Sequence, residues 1–267
     1  MTVDIHFAGS GPSLDARSKI IGVIGGVGPM SGLDLAAKIL VNTEAGTDQE
    51  HLPLLLASLP EAIPDRTAFL LGGGLNNPGI ILADIARNLY QAGARVLGIP
   101  CNTAHAAPIF NLLEQQAAEL PGVVLVNMLE ETCREIRDLM TAESRAAVLS
   151  TLGTYRCRVY DHYLNQLGLT AFDPGPEIIE RVHAAIYHPG YGLKSRSAPV
   201  TVQARSELTE VVKLLKLKGV TLAVLGCTEL PLALTGESCH EVRLVDPTTC
   251  LARAMIRKAS PEKLKVI

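Results

Sequence analysis

The sequence predicts an α/β protein built as two similar parallel-sheet α/β lobes. The lobes are related by a pseudo-two-fold, with an active site in the cleft between them. Three observations carry this. Short runs of Val, Ile and Leu alternate with helix-length segments from Ile20 to Lys258, the pattern of strand–helix units in a parallel sheet covered on both faces. The order of elements restarts near Asn127. Two stretches of one design, Val96 to His105 and Leu222 to Pro231, stand about half a chain apart. In each, an apolar run ends in a cysteine (Cys101, Cys227) followed by small polar residues. The carboxyl end of a buried strand is where open α/β sheets hold ligands.

The elements read as follows. Ile20 to Ile24 is a buried strand, Gly25 to Pro29 a turn, and Ser31 to Thr43 a helix. Leu52 to Ser58 is a strand, Pro60 to Thr67 a polar loop, and Gly72 to Gly74 a turn. Pro78 to Ala92 is helical, Ala94 to Ile99 a strand, Pro108 to Leu120 a helix, and Gly122 to Val126 a strand. The second copy begins at Asn127. Met128 to Met140 is helical, Arg145 to Ser150 a strand, Arg158 to Leu167 a helix, and Leu169 to Phe172 a short strand. Glu177 to Tyr187 is helical, His188 to Pro199 a Gly-, Ser- and Pro-rich loop, and Val200 to Lys218 a long helix. Thr221 to Leu225 and Val242 to Val245 are strands, and Pro247 to Lys258 is the last helix.

Composition excludes several function classes. The chain has 267 residues, 48% hydrophobic, without Trp, so aliphatic residues fill the core. A net charge of -3 without a basic block argues against nucleic acid or an anionic membrane surface as partner. No apolar run spans a bilayer. Met1 to Arg17 lacks the charge and apolar pattern of a secretory signal and reads as an extension. Six cysteines without a CxxC pair read as reduced thiols, which predicts a cytoplasmic protein.

The motifs narrow the chemistry. The Gly25–Gly28 loop lacks the spacing of a dinucleotide fingerprint, and there is no P-loop. It reads as a tight turn, with a small carboxylate as an alternative guest. No GxSxG occurs, which argues against a serine hydrolase, and the seven histidines have no metal-ligand spacing, so no metal site is predicted. Cys133, Cys157, Cys239 and Cys250 read as packing residues. Cys101 and Cys227 differ, because both end strands beside hydroxyl or amide side chains, and a strand-end, helix-start environment lowers a thiol's pKa. His105 either orients the Cys101 thiol or is structural. Taken alone, Arg66 and Lys194 read as exposed loop cations.

Taken together, Ile24-Gly-Gly-Val-Gly-Pro29, Ile63-Pro-Asp-Arg-Thr67, Pro100-Cys-Asn-Thr-Ala-His105, Ser150-Thr151-Leu-Gly-Thr154 followed by Tyr160, Lys194 after Ile186-Tyr187, and Gly226-Cys-Thr-Glu229 form an ordered set. With it the chain resembles the aspartate/glutamate racemase family, the cofactor-independent amino-acid racemases. The resemblance covers Ile20 to about Lys258. It implies an N-terminal lobe of residues 1–126, rejoined by the returning C-terminal helix within 247–267, and a C-terminal lobe of 127–246. It implies Cys101 and Cys227 as the two catalytic bases. Asn102, Thr103 and Thr228 are similar to residues that hold the substrate's α-carboxylate and amine, and Thr151 is a further substrate-binding residue. Arg66 and Lys194 look like the pair that receives a side-chain carboxylate. Ser31, the hydroxyl nearest the first turn, is a further substrate-binding candidate, and His105 and Glu229 are supporting residues. The partner so implied is an amino acid with a carboxylate side chain, and the assembly a homodimer.

Racemisation removes the Cα proton and returns one to the other face, so one thiol starts as thiolate and the other as thiol. The Cα proton is far less acidic than a thiol. Fixed donors on the α-carboxylate in a closed, dry cleft must therefore stabilise the developing carbanion. Three alternatives keep the scaffold: a one-cysteine maleate isomerase or arylmalonate decarboxylase, a hydantoin racemase, and a non-catalytic protein that binds acidic ligands.

Overall fold

Aliphatic runs with their alternate residues buried on opposite faces form the strands, and residues 19–74 and 76–266 are described by the structure, a computed structural model. Met1 to Arg17 lies outside the described residues. The first half runs β1 (Ile20–Gly25), α1 (Pro29–Asn42), β2 (Leu54–Ser58), α2 (Arg66–Leu70), α3 (Pro78–Gln91), β3 (Ala94–Gly98), α4 (Ala107–Ala118), β4 (Val124–Val126) and α5 (Met128–Leu139). The second runs β5 (Ala146–Ser150), α6 (Leu152–Arg156), α7 (Asp161–Gln166), α8 (Pro176–Tyr187), α9 (Val202–Leu217), β6 (Leu222–Gly226), β7 (Ser238–Cys239), β8 (Val242–Val245) and α10 (Pro247–Ala259). Side chains of Asn77, Asn127, Thr201 and Asp246 accept N–H groups from the first turns that follow them. They satisfy donors that helix geometry leaves unpaired.

The first sheet has the order β2-β1-β3-β4, all parallel. The second has the order β5-β6-β8-β7. On the free side of β5, Phe172 makes a single parallel bridge to Ala147. If that bridge stands for a second strand, the parallel strands of both sheets read second-first-third-fourth, and β3 and β6 occupy equivalent third positions.

The structure departs from the sequence reading at four places. Leu169 to Phe172 is not a strand. Asp173 and Pro174 follow the Phe172 bridge, and proline carries no N–H for a ladder. β7 is antiparallel to β8, joined by His240 and Glu241, both at positive φ, as a two-residue hairpin turn requires. The helix predicted from Arg158 starts only at Asp161, because Arg158 itself has φ 50°. The loop after β2 becomes helical at Arg66, where the Asp65 carboxylate accepts the Ala68 N–H at 2.8 Å.

Each sheet is covered on both faces. Ile24, Leu97 and Ile99 pack under α3 and α4, while Ala147, Leu149 and Leu225 pack under α8 and α9. The other faces share one apolar cluster, in which Ile21, Val23 and Val96 meet Leu222, Val224 and Val245 through residues of α1, α5 and α10. α10 lies against β3 and α1. It does so because residue 98 is glycine, where a Cβ would stand 2.5 Å from the Met255 sulfur. This arrangement brings the carboxyl ends of β3 and β6 to one place.

Candidate active site

Two glycine-to-cysteine steps bring the thiols into one cavity. β6 ends at Gly226 and Cys227 follows at once, while β3 ends at Gly98 and Cys101 follows after Ile99-Pro100. Cys101, Asn102, Thr103, Arg66, Thr151, Lys194, Cys227, Thr228 and Glu229 line one small cavity, completed by Thr67 and Tyr187. Its free space is about 10 Å³, room for about one water. An amino acid needs more room than this arrangement leaves.

The two thiols have opposite electrical settings. Arg66 is 7% exposed, on a helix rather than a solvated loop. Its Nη2 donates to the Val27 carbonyl at 2.8 Å and its Nη1 to the Pro64 carbonyl at 3.2 Å. Burial lowers its pKa, but the neighbouring Cys101 sulfur and Asp65 outweigh that and raise it. Cys227 instead donates its thiol hydrogen to Glu229 Oε2 at 2.9 Å, and Lys194 Nζ donates to Glu229 Oε1 at 2.6 Å. Burial pushes the Cys227 thiol well above its ordinary range, and the Glu229 charge adds to the rise. Burial also pushes Glu229 up, but Lys194, the Cys227 thiol and Arg66 outweigh it and hold the carboxyl below its usual range. Lys194 is 23% exposed at its side chain. Burial lowers it, yet the Glu229 charge prevails and its pKa rises.

These facts correct the expectation of a helix start that lowers the thiol pKa. A three-residue 3-10 turn, not an α-helix, follows each cysteine closely, and α4 begins only at Ala107. Without an aligned helix terminus, burial and Glu229 decide for Cys227.

The Gly25–Pro29 turn serves the cavity from behind. Val27 takes the Arg66 donor, and Gly28, at φ 121°, lets Glu229 approach closely. A Cβ there would lie 2.5 Å from Glu229 Oε1 and 2.9 Å from Ser31 Oγ. Ser31 is buried behind this glycine and is not among the residues lining the cavity. His105 does not meet the thiol. Its Nε2 accepts the Met128 N–H at 3.3 Å, so Nδ1 carries the hydrogen and donates to the Cys101 carbonyl at 2.8 Å.

Burial lowers the His105 pKa to about 4. The unfolded chain therefore binds a proton that the folded chain refuses below the ordinary value of 6.5, and stability falls with pH across that window. The loss by pH 4 is expected to be about 3 kcal/mol. Denaturant titrations of His105→Gln should show a flatter dependence from pH 6.5 to 4; an unchanged slope would refute the assignment.

Hydroxyl groups knit the two lobes across the cavity. Thr67 Oγ1 donates to Thr151 Oγ1 at 3.2 Å, and Thr103 and Thr154 Oγ1 lie 2.8 Å apart. Thr228 Oγ1 donates to the Pro100 carbonyl at 3.1 Å, and Tyr187 to Asp65 at 2.9 Å. The Tyr160 hydroxyl donates to Asn102 Oδ1. Sequence reading missed Thr67, Thr154, Tyr160 and Tyr187 as site residues. Their only signal was their place inside or beside the ordered motifs. Among the other cysteines, Cys133 is buried in the core but Cys157 is exposed, contrary to a packing role.

The profile of the Asp/Glu/hydantoin racemase family matches residues 24–255. The chain belongs to this family. It is similar to the broad-specificity amino-acid racemase RacX of Bacillus subtilis (strain 168), at 23% identity over 89% of this chain and 96% of that protein. It is 28% identical to glutamate racemase of Pseudomonas aeruginosa over 66% of this chain and 62% of that protein. The solved Picrophilus torridus aspartate racemase superposes with a TM-score of 0.75 at 26% identity, covering 92% of this chain and 96% of that one. The two-lobed racemase fold read from the sequence is the fold observed, and racemase-family membership makes the chain an enzyme of the isomerase class. Among the described residues no helix is long and apolar enough to cross a membrane, and no group of three His, Cys, Asp or Glu side chains is arranged to hold a metal ion.

Proposed function

We propose that the chain is a cofactor-independent racemase of aspartate or glutamate in which Cys101 and Cys227 act on opposite faces of Cα. The observation that carries this is the pair of thiols lining one small cavity with Arg66 beside the first and Glu229 on the second. Opposite charges beside the two thiols suit the roles of base and acid that a two-base reaction needs. In one direction Cys101, beside Arg66, acts as the base, and Cys227, held as a thiol by burial and Glu229, acts as the acid. The Cα–H bond gives its proton to the Cys101 sulfur, and the Cys227 S–H bond gives a proton to the other face. The reverse reaction exchanges the roles.

The carbanion formed between these steps needs donors on the α-carboxylate. Asn102 and Thr103 supply them. The Thr228 hydroxyl spends its hydrogen on Pro100, so its oxygen is left to accept from the substrate ammonium. Arg66 and Lys194 receive the side-chain carboxylate. The Lys194–Glu229 ion pair supports a second reading, in which Lys194 is already neutralised and an amino acid with an uncharged side chain is also turned over.

The test is proton exchange in D2O without pyridoxal phosphate, using L- and D-aspartate, then glutamate, then alanine. NMR follows deuterium entering Cα and chiral chromatography follows inversion. Inversion with exchange on the acidic pair supports the first reading, and comparable rates on alanine support the second. No exchange on any amino acid overturns both, and directs attention to dicarboxylates that add covalently to one cysteine.

A further inference from the structure

The amide of Asn102 stands next to Cys101, 2% exposed, at the wall of the cavity. Its Oδ1 accepts from the Tyr160 hydroxyl, while its Nδ2 is buried without a hydrogen-bond partner. A carboxamide has one acceptor end and one donor end, and a side chain cannot tell them apart by shape. The phenol decides between them. Tyr160 is 3% exposed, and burial, with the charges around it, holds its pKa well above 10. It therefore keeps its hydrogen and needs an acceptor. The acceptor it finds is Oδ1, which turns the NH2 group away from Tyr160. Leaving that NH2 unpaired in the interior is unfavourable, and a carboxylate arriving in the cavity removes the cost.

We propose that Tyr160 is a positioning residue of the substrate site, fixing the Asn102 amide with its NH2 group toward the substrate's α-carboxylate. Tyr160 precedes α7 in the second half of the chain, and Asn102 follows β3 in the first. The bond crosses the cleft, so the donor is oriented only when the two halves are together. Closure and readiness of the carboxylate site are then one event. Tyr160 touches neither substrate nor thiol in this role; it acts through Asn102. The inference rests on the racemase reading for the identity of the carboxylate, but not for the direction of the amide.

The test is a double-mutant cycle. Tyr160→Phe keeps the ring and removes the hydroxyl. Its KM for the acidic amino acid should rise about tenfold for both enantiomers alike, with iodoacetamide labelling of Cys101 unchanged. Asn102→Ala should lose more, and the Tyr160→Phe, Asn102→Ala double variant should be no worse than Asn102→Ala alone. Should the phenylalanine variant fail to fold, Asn102→Asp gives the same reading, since it keeps an acceptor for Tyr160 but offers no N–H to the cavity. It should bind as poorly as Asn102→Ala, and its melting temperature should fall at neutral pH, where the buried carboxylate lacks a partner, and recover on mild acidification.

Wild-type KM in Tyr160→Phe, or multiplicative losses in the double variant, would overturn the proposal. Calorimetric titration with L-aspartate separates this from failure of the racemase reading. If the wild type binds aspartate without racemising it, weaker binding by Tyr160→Phe still supports the positioning role and equal binding refutes it. Absence of binding by the wild type overturns both.

Discussion

Cys101→Ser and Cys227→Ser should each abolish inversion of the acidic amino acid while leaving the fold intact. Removing a positioned acid or base costs roughly 10²–10⁴-fold, and a serine hydroxyl is too weakly acidic to be the anion that a thiol becomes. The two variants should still differ. In Cys227→Ser, Cys101 remains beside Arg66 and can take the Cα proton of one enantiomer. That enantiomer should exchange with D2O and keep its configuration. In Cys101→Ser, the surviving thiol is held protonated by burial and by Glu229. Exchange of the opposite enantiomer should be slower near neutral pH and should accelerate as pH rises toward deprotonation of Cys227. NMR of Cα deuteration for each pure enantiomer reads all four combinations. Inversion by either single variant at near wild-type rates, or exchange of both enantiomers by one of them, would exclude the two-thiol mechanism.

The sequence carried the strands because each is a short aliphatic run closed by a turn, and it carried the cysteines because they sit where two such runs end. What it did not carry depends on long-range pairing. Leu169-Thr-Ala-Phe172 has the composition of a strand, but only Phe172 bridges to the sheet. Composition cannot reveal how much ladder a neighbour offers. Ser238–Cys239 is too short to show alternation, and its hairpin rests on two positive-φ residues that are not glycine. The α2 helix was legible in hindsight, since Asp65 is a good N-cap for Arg66-Thr-Ala-Phe-Leu. The proline-rich approach to it suggested a loop.

At the site, residue identity was visible and electrostatics were not. Arg66 and Lys194 looked like solvated loop cations, and only folding buries them against Cys101 and Glu229. Glu229 was adjacent in sequence to Cys227 and Thr228, yet its effect on the thiol follows from a 2.9 Å contact. The Tyr160–Asn102 and Thr67–Thr151 bonds join residues far apart in the chain. No local spacing encodes them.

The Lys194–Glu229 pair leads to the second large effect. Lys194→Met should lower stability near neutral pH by about 3–5 kcal/mol, the cost of leaving a buried charge without its partner. The pH dependence separates this from lost packing. In the wild type the Glu229 pKa is held below its ordinary 4.5. Its contribution to stability is complete above that value and is lost as pH falls through the lower folded value. In the variant, burial acts without its chief opponent and Glu229 should titrate above 4.5. Acid then relieves the variant by neutralising the stranded carboxylate while it weakens the wild type. The stability gap, measured by denaturant titration, should narrow steadily from pH 7 toward pH 4. Adding Glu229→Gln to Lys194→Met should close most of the gap at pH 7, because no buried charge remains. A gap independent of pH, or a double variant as unstable as the single one, would show that Lys194 stabilises through its carbon chain rather than its charge. The same double variant also frees Cys227 of the neighbouring carboxylate. Burial, the largest cause of the Cys227 rise, remains there, and Lys194, which lowers it, is gone as well, so the direction that needs Cys227 as base should keep its dependence on high pH in that variant.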